Sequence, residues 1–265
     1  MPRVRRPDGA EIEFRVQGDR GPLVAIARMA LHPPVACDGI VRELAGDHRV
    51  LTYDLRGTGG STRMGPYEIE TDAGDLAAVL DEAGGDALAI ALGDGARRAV
   101  RTAAAQPDLV HTVVISGELP LGQTRGGPQE ALAESLAVRD ALLGLLATDY
   151  RAGLRSMLAS AEADWPAAAL RARLDAIEAH CPREAGVARL RAWIHDDSLE
   201  QARLLGGRLW YLHYPGNAWF KGSLEAIQRG LPTARFEAVC DGVISRPQEN
   251  ADIIRRILAA PGAAA

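Results

Sequence analysis

Apolar positions along the chain keep two rhythms in turn. Over Glu11–Gln17, Ile12, Phe14 and Val16 alternate with polar residues, the period of two of a half-buried antiparallel strand. Leu23–Ala27 is a short continuous apolar run, as expected for a strand covered on both faces. A helix-like stretch at 37–45 leads to a second such strand, Arg49–Tyr53, and then to the glycine-rich turn 57–60. Helical spacing follows at Leu76, Val79 and Leu80 within 70–83, then a strand at Ala87–Leu92, a helix at 96–105 and a strand at 112–116. Strand and helix alternating in this way predict βαβ units and a mostly parallel sheet.

From about residue 128 to 205 the period is almost wholly helical and rich in alanine and leucine, with breaks predicted at Trp165-Pro166 and Cys181-Pro182 because proline cannot continue a helix interior. Strand character returns at Leu209–His213 and 235–239, and 248–258 reads as a closing helix. The expected architecture is an α/β fold: a mostly parallel central sheet flanked by helices, with an inserted helical cap. Residues 1–120 and 207–265 would form the core and 121–206 the cap.

Composition narrows the function classes. The chain has 265 residues, 47% of them hydrophobic and 25% charged, with a net charge of −5, so no polyanion-binding surface and no nucleic-acid partner are expected. All the cationic side chains except Lys221 are arginines, which reads as codon usage in a GC-rich genome. Cys37, Cys181 and Cys240 form no paired framework, so reduced thiols and a cytoplasmic setting are expected. No apolar run approaches the roughly 20 residues needed to span a bilayer, so no membrane partner is expected. There is no metal-ligand spacing, no phosphate-binding loop and no dinucleotide fingerprint, so neither metal nor cofactor is expected. The expected partner is a small molecule, and a homodimer is left open.

Asp54-Leu55-Arg56-Gly57-Thr58-Gly59-Gly60-Ser61 resembles the D-x-R-G-x-G-x-S loop of α/β hydrolases of the epoxide hydrolase, haloalkane dehalogenase and esterase type. Pro7-Asp8-Gly9, Gln106-Pro107-Asp108-Leu109-Val110 and Arg246-Pro247 fall in that family's order, so the resemblance covers nearly the whole chain. The glycines permit positive φ in a tight turn, and Arg56 with Asp54 would brace the loops.

The resemblance implies a nucleophile elbow after Ala87–Leu92, where the chain reads Ala91-Leu92-Gly93-Asp94-Gly95-Ala96. Counting from Pro107 makes Ala91 and Gly95 the two small positions and Gly93 the nucleophile position, where no side chain exists to attack. A one-residue slip would make Asp94 the nucleophile but would put Leu92 where a small residue is required. The family's acid position falls on Asn217, and 239–247, where its histidine would lie, contains none; a loose count back from Pro247 reaches Cys240. All three triad positions therefore read as replaced.

The resemblance places Arg28 and Met29 in the oxyanion loop. Arg28 would pair with Asp94 or receive a ligand carbonyl or carboxylate, the alternative being packing along the surface. Asp94, His32 and Glu118 are the candidate acids and bases. Arg28, Met29, Gly93, Tyr214, Asn217, Trp219 and Cys240 are the candidate ligand contacts. His213 is read as structural and Cys240 as a small buried thiol. The aromatic group Trp210, Tyr211, Tyr214, Trp219 and Phe220 reads equally as pocket lining or as core. The function expected is an atypical or non-hydrolytic enzyme, of cyclase, isomerase or lyase type, acting on a small apolar carbonyl compound. The alternatives are a non-catalytic binding or sensor protein and a weak hydrolase using Asp94.

Overall fold

A computed structural model describes residues 1–117, 129–159, 166–214 and 224–260. Eight strands form one sheet: β1 (Arg3–Arg5), β2 (Glu11–Gln17), β3 (Leu23–Ala27), β4 (Arg49–Tyr53), β5 (Ala87–Leu92), β6 (Val110–Ser116), β7 (Leu209–His213) and β8 (Arg235–Ala238). Their spatial order is β1-β2-β4-β3-β5-β6-β7-β8. The β1–β2 and β2–β4 pairs are antiparallel and all the others are parallel.

The two-residue alternation expected for β2 holds only in part. Ile12 and Phe14 are buried, but Val16 is 37% exposed and Glu13 is buried. Glu13 tolerates burial because Arg3 donates to its carboxylate. β1 carried no periodic signal, and its three residues are strand only through that pairing with β2.

The described helices between and after the strands are α1 (Asp38–Leu44), α2 (Ile69–Glu82), α3 (Gly95–Ala105), α4 (Gln129–Thr148), α5 (Tyr150–Ala159), α6 (Ala167–His180), α7 (Arg183–His195), α8 (Leu199–Leu205), α9 (Leu224–Gly230) and α10 (Pro247–Leu258). Pro166 and Pro182 sit at the N-caps of α6 and α7, so both prolines start helices as their sequence positions predict.

Side chains alternate across the central strands and divide the core in two. Ala25, Ala27, Ala89 and Ala91 face one way, against Ala96, Ala99 and Ala103 of α3 and the apolar stripe of α2. Val24, Ile26, Leu88, Ile90 and Leu92 face the other way, against α1 and α10. The alanines on both partners let α3 lie close on the sheet. A third apolar cluster gathers residues of α4 to α7 around Leu31, from the loop after β3. That contact seats α4 to α7 over one end of the strands, whereas α8 packs with α3 in the first cluster, so the expected cap of 121–206 ends before α8.

Candidate functional site

The register pairs Ala27 with Ala91 and Leu92 with Ser116, so β3, β5 and β6 finish at one edge of the sheet. In parallel α/β sheets the carboxyl edge is where ligands bind. Here it carries Gly93, with φ of +53°, and Gly117, with φ of +87°. A cavity of about 50 Å³ lies at this edge, between Met29, Gly93 and Asp94 below and Arg189, Leu190 and Trp193 above.

The turn after β5 is built around two glycines that no other residue replaces without disturbance. A Cβ on Gly95 would stand 1.9 Å from the Ala27 carbonyl oxygen, so the close approach of α3 to β3 requires glycine there. A Cβ on Gly93 would stand 2.2 Å from Met29 Cγ, so Met29 fills the space into which a side chain at this apex would project. Asp94 has ordinary helical angles, φ −58° and ψ −15°, and the left-handed apex is Gly93.

Asp94 is held from both sides. Its Oδ1 accepts from the Ala30 backbone N–H at 3.1 Å, and its Oδ2 accepts from Arg98 Nη1 and Nη2, each at 3.0 Å. Arg98 is wholly buried and also donates to the Arg28 carbonyl at 2.9 Å, so it ties α3 to the loop after β3. The carboxylate thereby occupies an N–H of that loop and carries its own countercharge.

Arg28 does not meet Asp94, nor does it run along the surface. It is 4% exposed, and its guanidinium donates to the Tyr53 carbonyl, the Asp54 carboxylate and the His32 carbonyl. Its Nη2 also lies 3.2 Å from His180 Nε2 of α6. With its donors committed to the chain, Arg28 is a brace. The expected Arg56–Asp54 brace is likewise re-paired: Arg56 forks onto Asp75 at 2.7 and 2.8 Å and reaches Asp8 at 2.6 Å, while Asp54 takes Arg28 and the Gly60 N–H.

His32 is not among the residues lining the cavity. Burial, helped by the charges of Arg173 and Arg28, pushes its imidazole down to about 3. At neutral pH it is an uncharged, weakly basic ring, a poor fit for the acid or base role expected of it. Cys240 is exposed rather than buried and also lies off the cavity. The Glu249 carboxylate beside it raises its thiol, which opposes thiolate chemistry.

Tyr214 brings its hydroxyl within 3.1 Å of a Cβ position on Gly117, beside the cavity. His213 sits at the end of β7, where its carbonyl accepts from Val239 N. Tyr211 stacks obliquely on Phe236 at 5.9 Å, and Trp210 lies under Arg235 at 5.1 Å, so these two aromatics are core and sheet edge rather than pocket. Glu118, Asn217, Trp219 and Phe220 lie outside the described residues.

Sequence reading missed Arg189 and Trp193 of α7 and Met157 of α5, all of which line the cavity. The one available signal was a lone tryptophan in an arginine-rich helix. Arg189 forks onto Asp72 of α2, both bonds 2.9 Å, and stacks over the Tyr67 ring at 4.9 Å. Among the described residues no cluster of three or more His, Cys, Asp or Glu could hold a metal ion, and no helix is long and apolar enough to cross a membrane.

The sequence pattern of the alpha/beta hydrolase family matches residues 31–248. The chain belongs to that family. Solved alpha/beta hydrolase folds resemble it over almost their whole lengths. A thermophilic esterase from Thermogutta terrifontis is 18% identical, with 98% of each chain covered and a TM-score of 0.76. An esterase from Exiguobacterium antarcticum is 14% identical, covering 97% of this chain and 99% of its own, with a TM-score of 0.81. The enol-lactonase from Burkholderia xenovorans LB400 is 19% identical, covering 97% and 98%, with a TM-score of 0.71. At these identities the likeness establishes the alpha/beta hydrolase fold and leaves the reaction open. No curated protein matches the chain by sequence.

Two predictions arise from this geometry. The first concerns acid. His180 is held down to about 4 by burial and by the Arg28 charge, with Arg189 and Arg63 acting in the same sense and Asp54 against them. His32 lies at about 3. Both folded values fall below the ordinary 6.5, so between these pH values the unfolded chain binds more protons than the folded one. Stability is then full above about 6.5 and falls as pH drops through the window, by roughly 1.4 kcal/mol per unit for each histidine that stays neutral in the fold. Urea midpoints at pH 7.5 and 5 measure the fall, and His180→Gln is expected to shrink it; an unchanged slope contradicts the assignment.

The second concerns the apex. Gly93→Ser meets both a left-handed φ and Met29, and is expected to cost roughly 2 kcal/mol or more. In a double-mutant cycle, Met29→Ala removes the clash, so the pair should cost less than the sum of the singles by about 1 kcal/mol. Strict additivity in urea unfolding would show that Met29 does not occupy the space.

Proposed function

We propose that this protein is a non-hydrolytic member of the alpha/beta hydrolase family that holds a small, mostly apolar molecule between the sheet edge and a helical cap of α4 to α7. The observation that carries this reading is Met29 occupying the space in front of Gly93, so that the apex carries no nucleophilic side chain and an apolar one stands in its place. The state of Asp94 supports it. That carboxylate is neutralised by Arg98 and occupies the Ala30 N–H, so attack by Asp94 would require breaking an ion pair.

The triad reading rests on the same register: Gly93 at the nucleophile position, Asn217 at the acid position and no histidine in 239–247. Several structural neighbours are esterases or lactonases, and this protein would keep their pocket without their covalent step. Turnover without a nucleophile is a second reading. Asp94 and Arg189 line one largely apolar cavity, and such an opposed pair could assist ring closure, isomerisation or elimination by positioning and charge.

The test is twofold. Purified protein is expected to release a bound small molecule on denaturation, identified by mass spectrometry, and incubation with that compound separates binding from conversion. The protein is also expected to leave p-nitrophenyl butyrate at the buffer rate. Saturable hydrolysis abolished by Asp94→Asn would overturn the proposal.

A further inference from the structure

Arg189 is 3% exposed and lines the cavity. Its Nε and Nη2 are both spent on Asp72. This side-on fork leaves Nη1 at the edge of the planar guanidinium turned away from the carboxylate. Nη1 is buried and has no hydrogen-bond partner among the described residues. A buried donor without an acceptor costs about 1–3 kcal/mol, and a ligand oxygen placed there would remove that cost. Arg28, the cation expected from sequence to receive the ligand, has its donors committed elsewhere, so Arg189 is the cation at the cavity with a donor to offer.

The charges around it choose the acceptor. Asp72 already balances Arg189, and Arg98 already balances Asp94. A ligand carboxylate would add a second negative charge beside Asp94 and would lose its hydration within walls made largely of Met29, Leu31, Met157, Leu190 and Trp193, with the Arg97 and Arg139 guanidiniums held behind the Trp193 ring. A neutral carbonyl oxygen satisfies the N–H without that penalty.

We propose that Arg189 Nη1 is the anchor for a neutral carbonyl oxygen of an otherwise apolar ligand, of the ketone, lactone, ester or quinone class. The inference rests on the pocket reading above. The cavity is only about 50 Å³, so entry requires Met29 to move aside, and its unbranched side chain with three rotatable bonds can do so.

The full-length protein is titrated by calorimetry with cyclohexanone, methylenecyclohexane and cyclohexanecarboxylate, which differ in the acceptor they present. Cyclohexanone is expected to bind about tenfold more tightly than methylenecyclohexane, and also more tightly than the carboxylate. Its bound carbonyl stretch should fall below the value in hydrocarbon solvent. In the double variant Asp72→Leu/Arg189→Leu, which removes the pair without stranding either charge, the ketone preference and the infrared shift should vanish while methylenecyclohexane still binds.

Equal affinity for ketone and alkene, tighter binding of the carboxylate, or a preference that survives the double variant overturns the carbonyl anchor and leaves the pocket standing. If none of the three binds to folded protein, the pocket reading fails and the anchor with it. Should the double variant not fold, the infrared measurement on the unaltered protein decides, and an unshifted stretch overturns the proposal.

Discussion

Gly95→Ala is expected to be among the most damaging single-methyl additions in this protein, costing more than about 3 kcal/mol or abolishing folding. The added carbon would stand 1.9 Å from the Ala27 carbonyl oxygen and 2.7 Å from its carbon. Both are backbone atoms of a central strand, paired in parallel with β4 and β5, and cannot move aside as a side-chain tip can. Relief would need α3 to lift off the sheet, opening the alanine interface of Ala27, Ala91, Ala96 and Ala99. Gly46→Ala supplies the contrast, since nothing lies within 4 Å of its Cβ position. Urea unfolding of the two variants should differ by the full penalty; a Gly95→Ala protein as stable as Gly46→Ala would mean that the elbow register is wrong.

Asp75→Ala should be comparably severe, at roughly 3–5 kcal/mol, because it strands a buried cation. Arg56 is 1% exposed and Asp75 wholly buried, and their fork is the centre of a network that also takes in Asp8 and Arg6. Removing the carboxylate leaves Arg56 with Asp8 alone as its ionic partner, a residue 42% exposed. Replacing both partners, as Arg56→Met/Asp75→Leu, is expected to cost less than Asp75→Ala, since no charge is then left unbalanced indoors. Denaturant midpoints decide this, and a double variant worse than the single would locate the energy in the pair itself rather than in its burial.

The arginine content takes on a different meaning in this light. It reads as codon usage along the chain, yet Arg56, Arg97 and Arg98 are among the largest fully buried side chains, and Arg28 and Arg189 are nearly so. All five form ion pairs that join segments far apart in sequence or fix the turn after β5: Arg28–Asp54, Arg56–Asp75, Arg97–Asp196, Arg189–Asp72 and Arg98–Asp94. A planar, permanently charged fork suits such buried carboxylates better than the point charge of lysine.

Parts of the candidate site were legible because they depend on local backbone demands. The glycine at the apex and the small residues flanking it could be read from the order Ala91-Leu92-Gly93-Asp94-Gly95 through its resemblance to the family's elbow and the count from Pro107, since a tight strand-to-helix turn tolerates few side chains. The roles of Arg28, His32 and Cys240 could not. Each depends on what other elements bring alongside: Asp54 and His180 for Arg28, burial and then the Arg173 charge for His32, Glu249 for Cys240. Arg189 and Trp193 lie on a helix nearly a hundred residues after the elbow, and nothing in their local spacing points to the cavity they help to close.

Periodicity alone determined the strands β2 to β7 and most of the helices around them, and the resemblance to the family's elbow picked out its glycines, because burial on a sheet face and tight turning are constraints that neighbouring residues satisfy among themselves. Charge partners, cavity walls and the exposure of single side chains were decided only when the chain closed, because electrostatic pairing and packing act through space and are blind to the distance along the backbone.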